Sequence, residues 1–166
     1  MVGVEASHGR CGRAPEDEFS DWRAPMFEKI LVAVDGSMNS DRAVEAASEM
    51  ARVHDSPLTI CHAFHIPERY KTDLVDELEE ALEGDAEKIL SHAASVAEAA
   101  GITADTRLLK KGHPTEAIVS YAQELGVDVI VVGVRGKTPG AARAIGSVSS
   151  AVAEQAGCSV LLIRAS

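Results

Sequence analysis

From Met26 onward, short runs that are apolar almost throughout alternate with longer stretches in which apolar residues return every three or four positions. A continuous apolar run of four to eight residues marks a strand covered on both faces, and a period of 3.6 marks a helix with one buried side. Residues 29–34 therefore form a first strand, which Asp35-Gly36-Ser37 turns into a helix over about 39–53 that buries Ala43, Val44, Ala47, Met50 and Ala51. Residues 58–64 form a second strand. Residues 73–100 form a long helical stretch with Leu74, Leu78, Leu82, Ile89, Ala93 and Val96 on its buried side, Gly84 as a candidate break and Gly101 as its stop. Residues 103–109 read as a third strand. Pro114, tolerated in a first helical turn, opens a helix carrying Ala117, Ile118, Tyr121, Ala122 and Leu125, which Gly126 ends. Residues 128–132 are a fourth strand, 147–156 a helix and 159–163 a fifth strand.

Strands separated by helices, with connections too long for hairpins, imply right-handed crossovers and a parallel sheet with helices on both faces. The fold class is a single doubly wound α/β domain. Ligands of such sheets bind beyond the carboxyl ends of the strands, where the winding reverses, so the turns after strands one and four are the places to search. Residues 1–25 differ: Gly3, Gly9, Gly12, Pro15 and Pro25 stand among scattered charges with no apolar period, which predicts a disordered extension ahead of a domain at 26–166. That stretch lacks the 7-to-15-residue apolar segment of a secretory signal. Met26, just before the first strand, is an alternative start.

Composition narrows the partners. The chain has 166 residues, 46% hydrophobic and 25% charged, with a mean hydropathy of +0.01. At this length folding buries roughly two-thirds of the unfolded surface, so a single core needs no disulfide or metal. The longest apolar stretch, 127–134, is interrupted by Asp128 and Gly133 and falls short of the ~18 residues of a membrane span. With 26 acidic and 16 basic residues the formal charge is −10, which argues against a basic stripe tracking a nucleic-acid backbone. A single anionic ligand is compatible with it, because backbone N–H groups at a helix start hold phosphate without a basic surface. The acidity suits a high-salt cytoplasm and an ordinary one equally. Cys11, Cys61 and Cys158, odd in number and without metal-like spacing, read as reduced thiols of a cytoplasmic protein.

The strongest chemical signal follows strand four: Gly133-Val134-Arg135-Gly136, nine residues, then Gly146-Ser147 opening a helix. Glycines let a backbone approach a ligand closely, and a serine at a helix start sets a hydroxyl beside unpaired N–H groups. Together they describe an anion cradle suited to a polyphosphate; the plainer reading is a connector whose glycines only turn the chain. Gly136-Lys137-Thr138 imitates the end of a P-loop, but the glycine that motif needs at position 131 is Val131. A dinucleotide fingerprint is also missing, since Arg135 takes the place of its second glycine.

This glycine spacing, the run Val32-Ala33-Val34-Asp35-Gly36-Ser37 on the first strand and Cys158-Ser159-Val160-Leu161-Leu162 at the end together resemble the universal stress protein family, from Met26 to about Arg164. The resemblance implies an adenine nucleotide alpha hydrolase-like sheet of five parallel strands in the order 3-2-1-4-5, and a homodimer paired through the last strand. In that family the spacing marks the members that bind ATP, with or without Mg2+. Carried over residue by residue, it implies that Gly133 and Gly136 approach ribose and phosphates and that Gly146, Ser147, Val148 and Ser149 hold the phosphate tail. Asp35 would accept hydrogen bonds from the ribose or adenine side, and Ala33, Val34, Ala63 and Val132 would line the adenine slot. Two positions depart from the pattern: Ser159 stands where proline is common, and Arg135, where histidine is frequent, would add a cationic contact to the phosphates.

The implied function is an ATP-binding stress-response module or switch, with at most slow hydrolysis and a downstream partner that the sequence does not name. Two readings from other classes stay open: an adenine-nucleotide enzyme of the same fold group acting by adenylyl or phosphoryl transfer, and a ligand-free dimeric interaction protein. Nothing pairs a nucleophile with a base at recognisable spacing. His62 and His65 resemble the histidines of nucleotidyl transferases, but the H-x-G-H signature reads His-Ala-Phe-His here, which favours packing or surface roles. The S-G-G-x-D-S run of the related ATP pyrophosphatases is replaced by Val34-Asp35-Gly36-Ser37. Asp35 is a candidate nucleotide contact and equally a candidate helix cap with Ser37. His113, before Pro114, reads as a cap, Cys61 as a small buried hydrophobe, and Glu77, Glu79, Glu80 and Glu83 as a solvated helix face.

Overall fold

A computed structural model describes residues 27–65, 75–110, 112–135 and 145–165. The elements alternate along the chain: β1 (Ile30–Ala33), α1 (Met38–His54), β2 (Leu58–Ala63), α2 (Val75–Ala99), β3 (Asp105–Leu109), α3 (Pro114–Leu125), β4 (Val129–Gly133), α4 (Ser147–Gln155) and β5 (Ser159–Ile163). The five strands make one sheet in the order β3-β2-β1-β4-β5, every neighbouring pair parallel. From β1 the chain winds outward through β2 to β3, crosses back over the sheet and winds the other way through β4 to β5, so the winding reverses between β1 and β4. At that junction Ala33 stands opposite Cys61 on one side and Val132 on the other.

The continuous apolar runs sit where a two-faced strand must. Every residue of β4 is buried, and Ile30, Leu31 and Val32 of β1 are at most 1% exposed, while the edge strand β3 shows Asp105, Thr106 and Arg107 to solvent. Two clusters form the core. One packs Ala43, Val44, Ala47 and Ala51 of α1 and Leu90, Ala93 and Ala97 of α2 on one face of the sheet, and the other packs Ile118 and Ala122 of α3 and Val152 of α4 on the opposite face.

The helix ends follow their chemistry. The Ser37 side chain accepts from Ser40 N–H at 3.3 Å and caps α1, His113 Nδ1 accepts from Thr115 N–H at 3.4 Å ahead of Pro114, and Gly126 closes α3 in the left-handed conformation. The long helix departs from expectation in two ways. Gly84 does not break α2, because a glycine inside a helix lowers its stability without removing a hydrogen bond. Its buried stripe runs through Ala86, Leu90, Ala93 and Ala97, with Ile89 and Val96 only partly covered and Leu78 44% exposed. Three small alanines and Leu90, and not the other large residues of the helix, set the side that is buried. Strands one to three also begin or end one or two residues inside the expected spans. Residues 1–26 and Leu74 lie outside the described residues.

Candidate functional site

The turn after β1 is built by its own side chains. Gly36 has φ 74°, a conformation L side chains rarely adopt, and Asp35 Oδ1 accepts from Ser37 N–H at 3.0 Å across the turn. Asp35 thus folds the turn, and the capping role falls to Ser37. The Ser37 hydroxyl also donates to the Arg135 carbonyl at 3.2 Å, which ties the turn after β1 to the turn after β4.

The other half rests on α4. Gly146, the N-cap of α4, offers no side chain and so makes no side-chain cap bond to the first-turn N–H groups of that helix. Gly146 N–H donates to the Val134 carbonyl at 2.7 Å, and the Ser149 hydroxyl, buried, donates to the Gly133 carbonyl at 2.7 Å. These bonds hold the start of α4 against the carboxyl end of β4.

Between the two halves lies a cleft of about 140 Å³ at the point where the winding reverses. Ala33, Val34, Ala63 and Val132 give it apolar walls; Asp35, Gly133 and Arg135 stand at the strand ends, and Val148 and Ser149 come from α4. Nine of the residues expected from the sequence therefore share one cleft. Gly146 and Ser147 are at the start of α4 beside it, with Ser147 exposed, and Gly136 lies outside the described residues. Gly133 has a further reason to be glycine: a Cβ there would meet the Asn39 Cβ at 2.8 Å and its carbonyl carbon at 2.9 Å, so α1 packs directly on the β4 backbone.

Three cleft residues escaped the sequence reading: Ser40, Pro114 and Ile118. Ser40 is buried, its hydroxyl donating to the Ser37 carbonyl at 2.8 Å, and Pro114 and Ile118 come from the first turns of α3. The sheet order carries the only sequence signal for them, since it brings the starts of α1 and α3 to the same end as the β1 and β4 termini.

Nearby titratable groups have structural tasks. His62 Nδ1 is 2.6 Å from the Val34 carbonyl, His65 is exposed, and burial pushes the Cys61 thiol up to about 12. Among the described residues no group of three or more His, Cys, Asp or Glu is arranged to hold a metal ion, and no helix is long and apolar enough to cross a membrane. A larger groove, about 640 Å³, runs between β3 and α3 past Arg107, Leu109 and Tyr121. It lies at the outer edge of the sheet with exposed charges along it, and Lys110 within it is tied to Glu83 at 2.6 Å. The smaller cleft is the candidate site because it lies where the winding reverses and gathers the ends of β1, β2 and β4, the start of α4 and apolar walls in one place.

An apolar slot of this size takes a flat heteroaromatic ring, and the helix start beside it offers N–H donors and the Ser147 hydroxyl to an anion. Comparison with known proteins identifies the family. The model of the universal stress protein family matches residues 26–164. Universal stress protein YxiE of Bacillus subtilis is 33% identical over 153 residues, spanning 84% of this chain and all of that protein. Among solved structures, a universal stress protein in complex with cAMP is 31% identical with a TM-score of 0.68, covering 86% of this chain and all of that one. The universal stress protein of Archaeoglobus fulgidus in complex with dAMP is 28% identical with a TM-score of 0.62, covering 84% of this chain and 99% of that one.

Proposed function

The chain belongs to the universal stress protein family, and from that premise we propose that it binds ATP in the cleft between the β1 and β4 termini and acts as a nucleotide-dependent binding module or switch in a stress response. The observation that carries the reading is the joining of two unlike surfaces at the reversal of the winding. The apolar slot of Ala33, Val34, Ala63 and Val132 suits an adenine ring, and the uncapped start of α4 beside it suits phosphates. The donor set fits the nucleotide: backbone N–H groups from Ser147 to Ser149, the Ser147 hydroxyl and the Arg135 guanidinium are all suited to negative oxygens. Asp35 takes the ribose or base side, and Mg2+ would travel with the phosphates. The two relatives solved with cAMP and dAMP hold adenine nucleotides on the same fold, which supports the class of ligand. Assembly as a homodimer through β5 and a cytoplasmic location complete the proposal.

The test is direct. Purified protein is denatured and any released nucleotide identified, and the emptied protein is then melted with and without millimolar ATP and Mg2+. A ligand that binds only the native state at ~100 times its dissociation constant adds about 2.7 kcal/mol. Absence of both released nucleotide and a melting shift removes ATP from the proposal.

A further inference from the structure

The β1–β2 ladder runs in register from Ile30 opposite Leu58 to Ala33 opposite Cys61, and Val34 N–H extends it by donating to the Cys61 carbonyl at 2.9 Å. In a parallel ladder a residue that donates to one neighbour accepts from the neighbour two positions on. The next rung would therefore run from Ala63 N–H to the Val34 carbonyl. Among the described residues that rung is not made. The Val34 carbonyl instead lies 2.6 Å from His62 Nδ1. A carbonyl only accepts, so Nδ1 carries the hydrogen and the imidazole has taken the place of the backbone donor.

The substitution falls at the cleft. Val34 and Ala63 both line it, and since their side chains are apolar, their only polar groups are backbone ones. With the Val34 carbonyl held by His62, the Ala63 N–H is released from the ladder at the mouth between the two strands. We propose that His62 is a positioning residue of the cleft: it ends the β1–β2 ladder one rung early and leaves the backbone of Ala63 to read the edge of the bound base. The proposal rests on the nucleotide reading above. A fixed N–H donor meets an acceptor at N1 of adenine and a competing donor at N1 of guanine, so the consequence of the geometry is discrimination between the two bases.

Three substitutions separate positioning from packing. His62→Leu keeps the bulk and removes the donor; His62→Asn restores an N–H two bonds from Cβ, as in the imidazole Nδ1; His62→Gln places it one bond farther out. Calorimetry with ATP and with GTP, beside thermal melts, reads affinity, preference and stability for the parent and each variant. The expected result is a preference for ATP of at least tenfold in the parent, ATP affinity at least tenfold weaker in His62→Leu with the preference reduced to within threefold, and His62→Asn within threefold of the parent on both counts. His62→Gln should behave like His62→Leu. Variants that lose melting temperature but keep the preference of the parent would overturn the proposal while leaving the nucleotide reading intact. If His62→Leu fails to fold, the Asn and Gln variants decide, and equal impairment of the two overturns it. A parent that binds neither nucleotide removes both readings together.

Discussion

Some residues of this molecule hold the cleft in shape and others face what enters it. Gly133 is of the first kind: its missing Cβ makes room for Asn39, and Gly133→Ala would push the first turn of α1 off the end of β4. The expected cost is about 1 to 3 kcal/mol, read as a lower melting temperature of the ligand-free protein. Ser147 is of the second kind, being exposed at the start of α4. Ser147→Ala should leave that melting temperature unchanged and weaken ATP by about 1.5 to 3 kcal/mol in calorimetry, as loss of a hydrogen bond to a charged partner does. Cys61 makes a third, titrating prediction. Its thiol is pushed from 9.0 up to about 12 by burial, so the unfolded chain ionises first as pH rises. The stability this residue contributes is complete below pH 9 and is lost between pH 9 and 12. Cys61→Val removes the linkage, so denaturant midpoints should shift in favour of the variant above pH 9 and run parallel to the parent below it. The sequence exposed much of this scale. Nine cleft residues were legible, most of them through the family resemblance that the glycine spacing and the run after the first strand carry. Ser40, Pro114 and Ile118 were not, because they reach the cleft through tertiary packing of helices whose local pattern speaks only of helix.

At the scale of elements, continuous apolar runs located every strand and the helical period every helix to within a residue or two, and the period failed where size misled it. In α2 the larger residues Leu78, Leu82, Ile89 and Val96 dominate any periodic reading, yet Ala86, Ala93 and Ala97, with Leu90, are the residues that are buried. A helix packs most closely where its side chains are small, and the larger ones flank the seam. Gly84 illustrates the converse: nothing lies within 4 Å of a Cβ built there, and its backbone is helical. Gly84→Ala should therefore raise stability by about 0.5 to 1 kcal/mol, chiefly by restricting the unfolded chain, with the denaturant slope unchanged.

At the scale of the whole molecule, the two sheet edges are treated differently. β3 carries exposed Asp105 and Arg107, charges that discourage further pairing, whereas β5 presents Val160, Leu161 and Leu162, with Leu161 37% exposed. In the proposed homodimer this apolar edge would be closed by the same edge of a second copy under two-fold symmetry. Light scattering at micromolar concentration should give a dimer for the parent, and Leu161→Lys should shift the mass toward the monomer without loss of helix by circular dichroism. The strand order also bears on when the cleft comes into being. β1 is the central strand, and its partner β4 is about a hundred residues further along the chain, so the middle of the sheet stays open until β4 has been made. The cleft draws its walls from Ala33 to Ser149. A nascent chain emerging from the ribosome acquires β1–β2–β3 long before it can close the other side of β1, and the cleft gains its last wall only when α4 has followed.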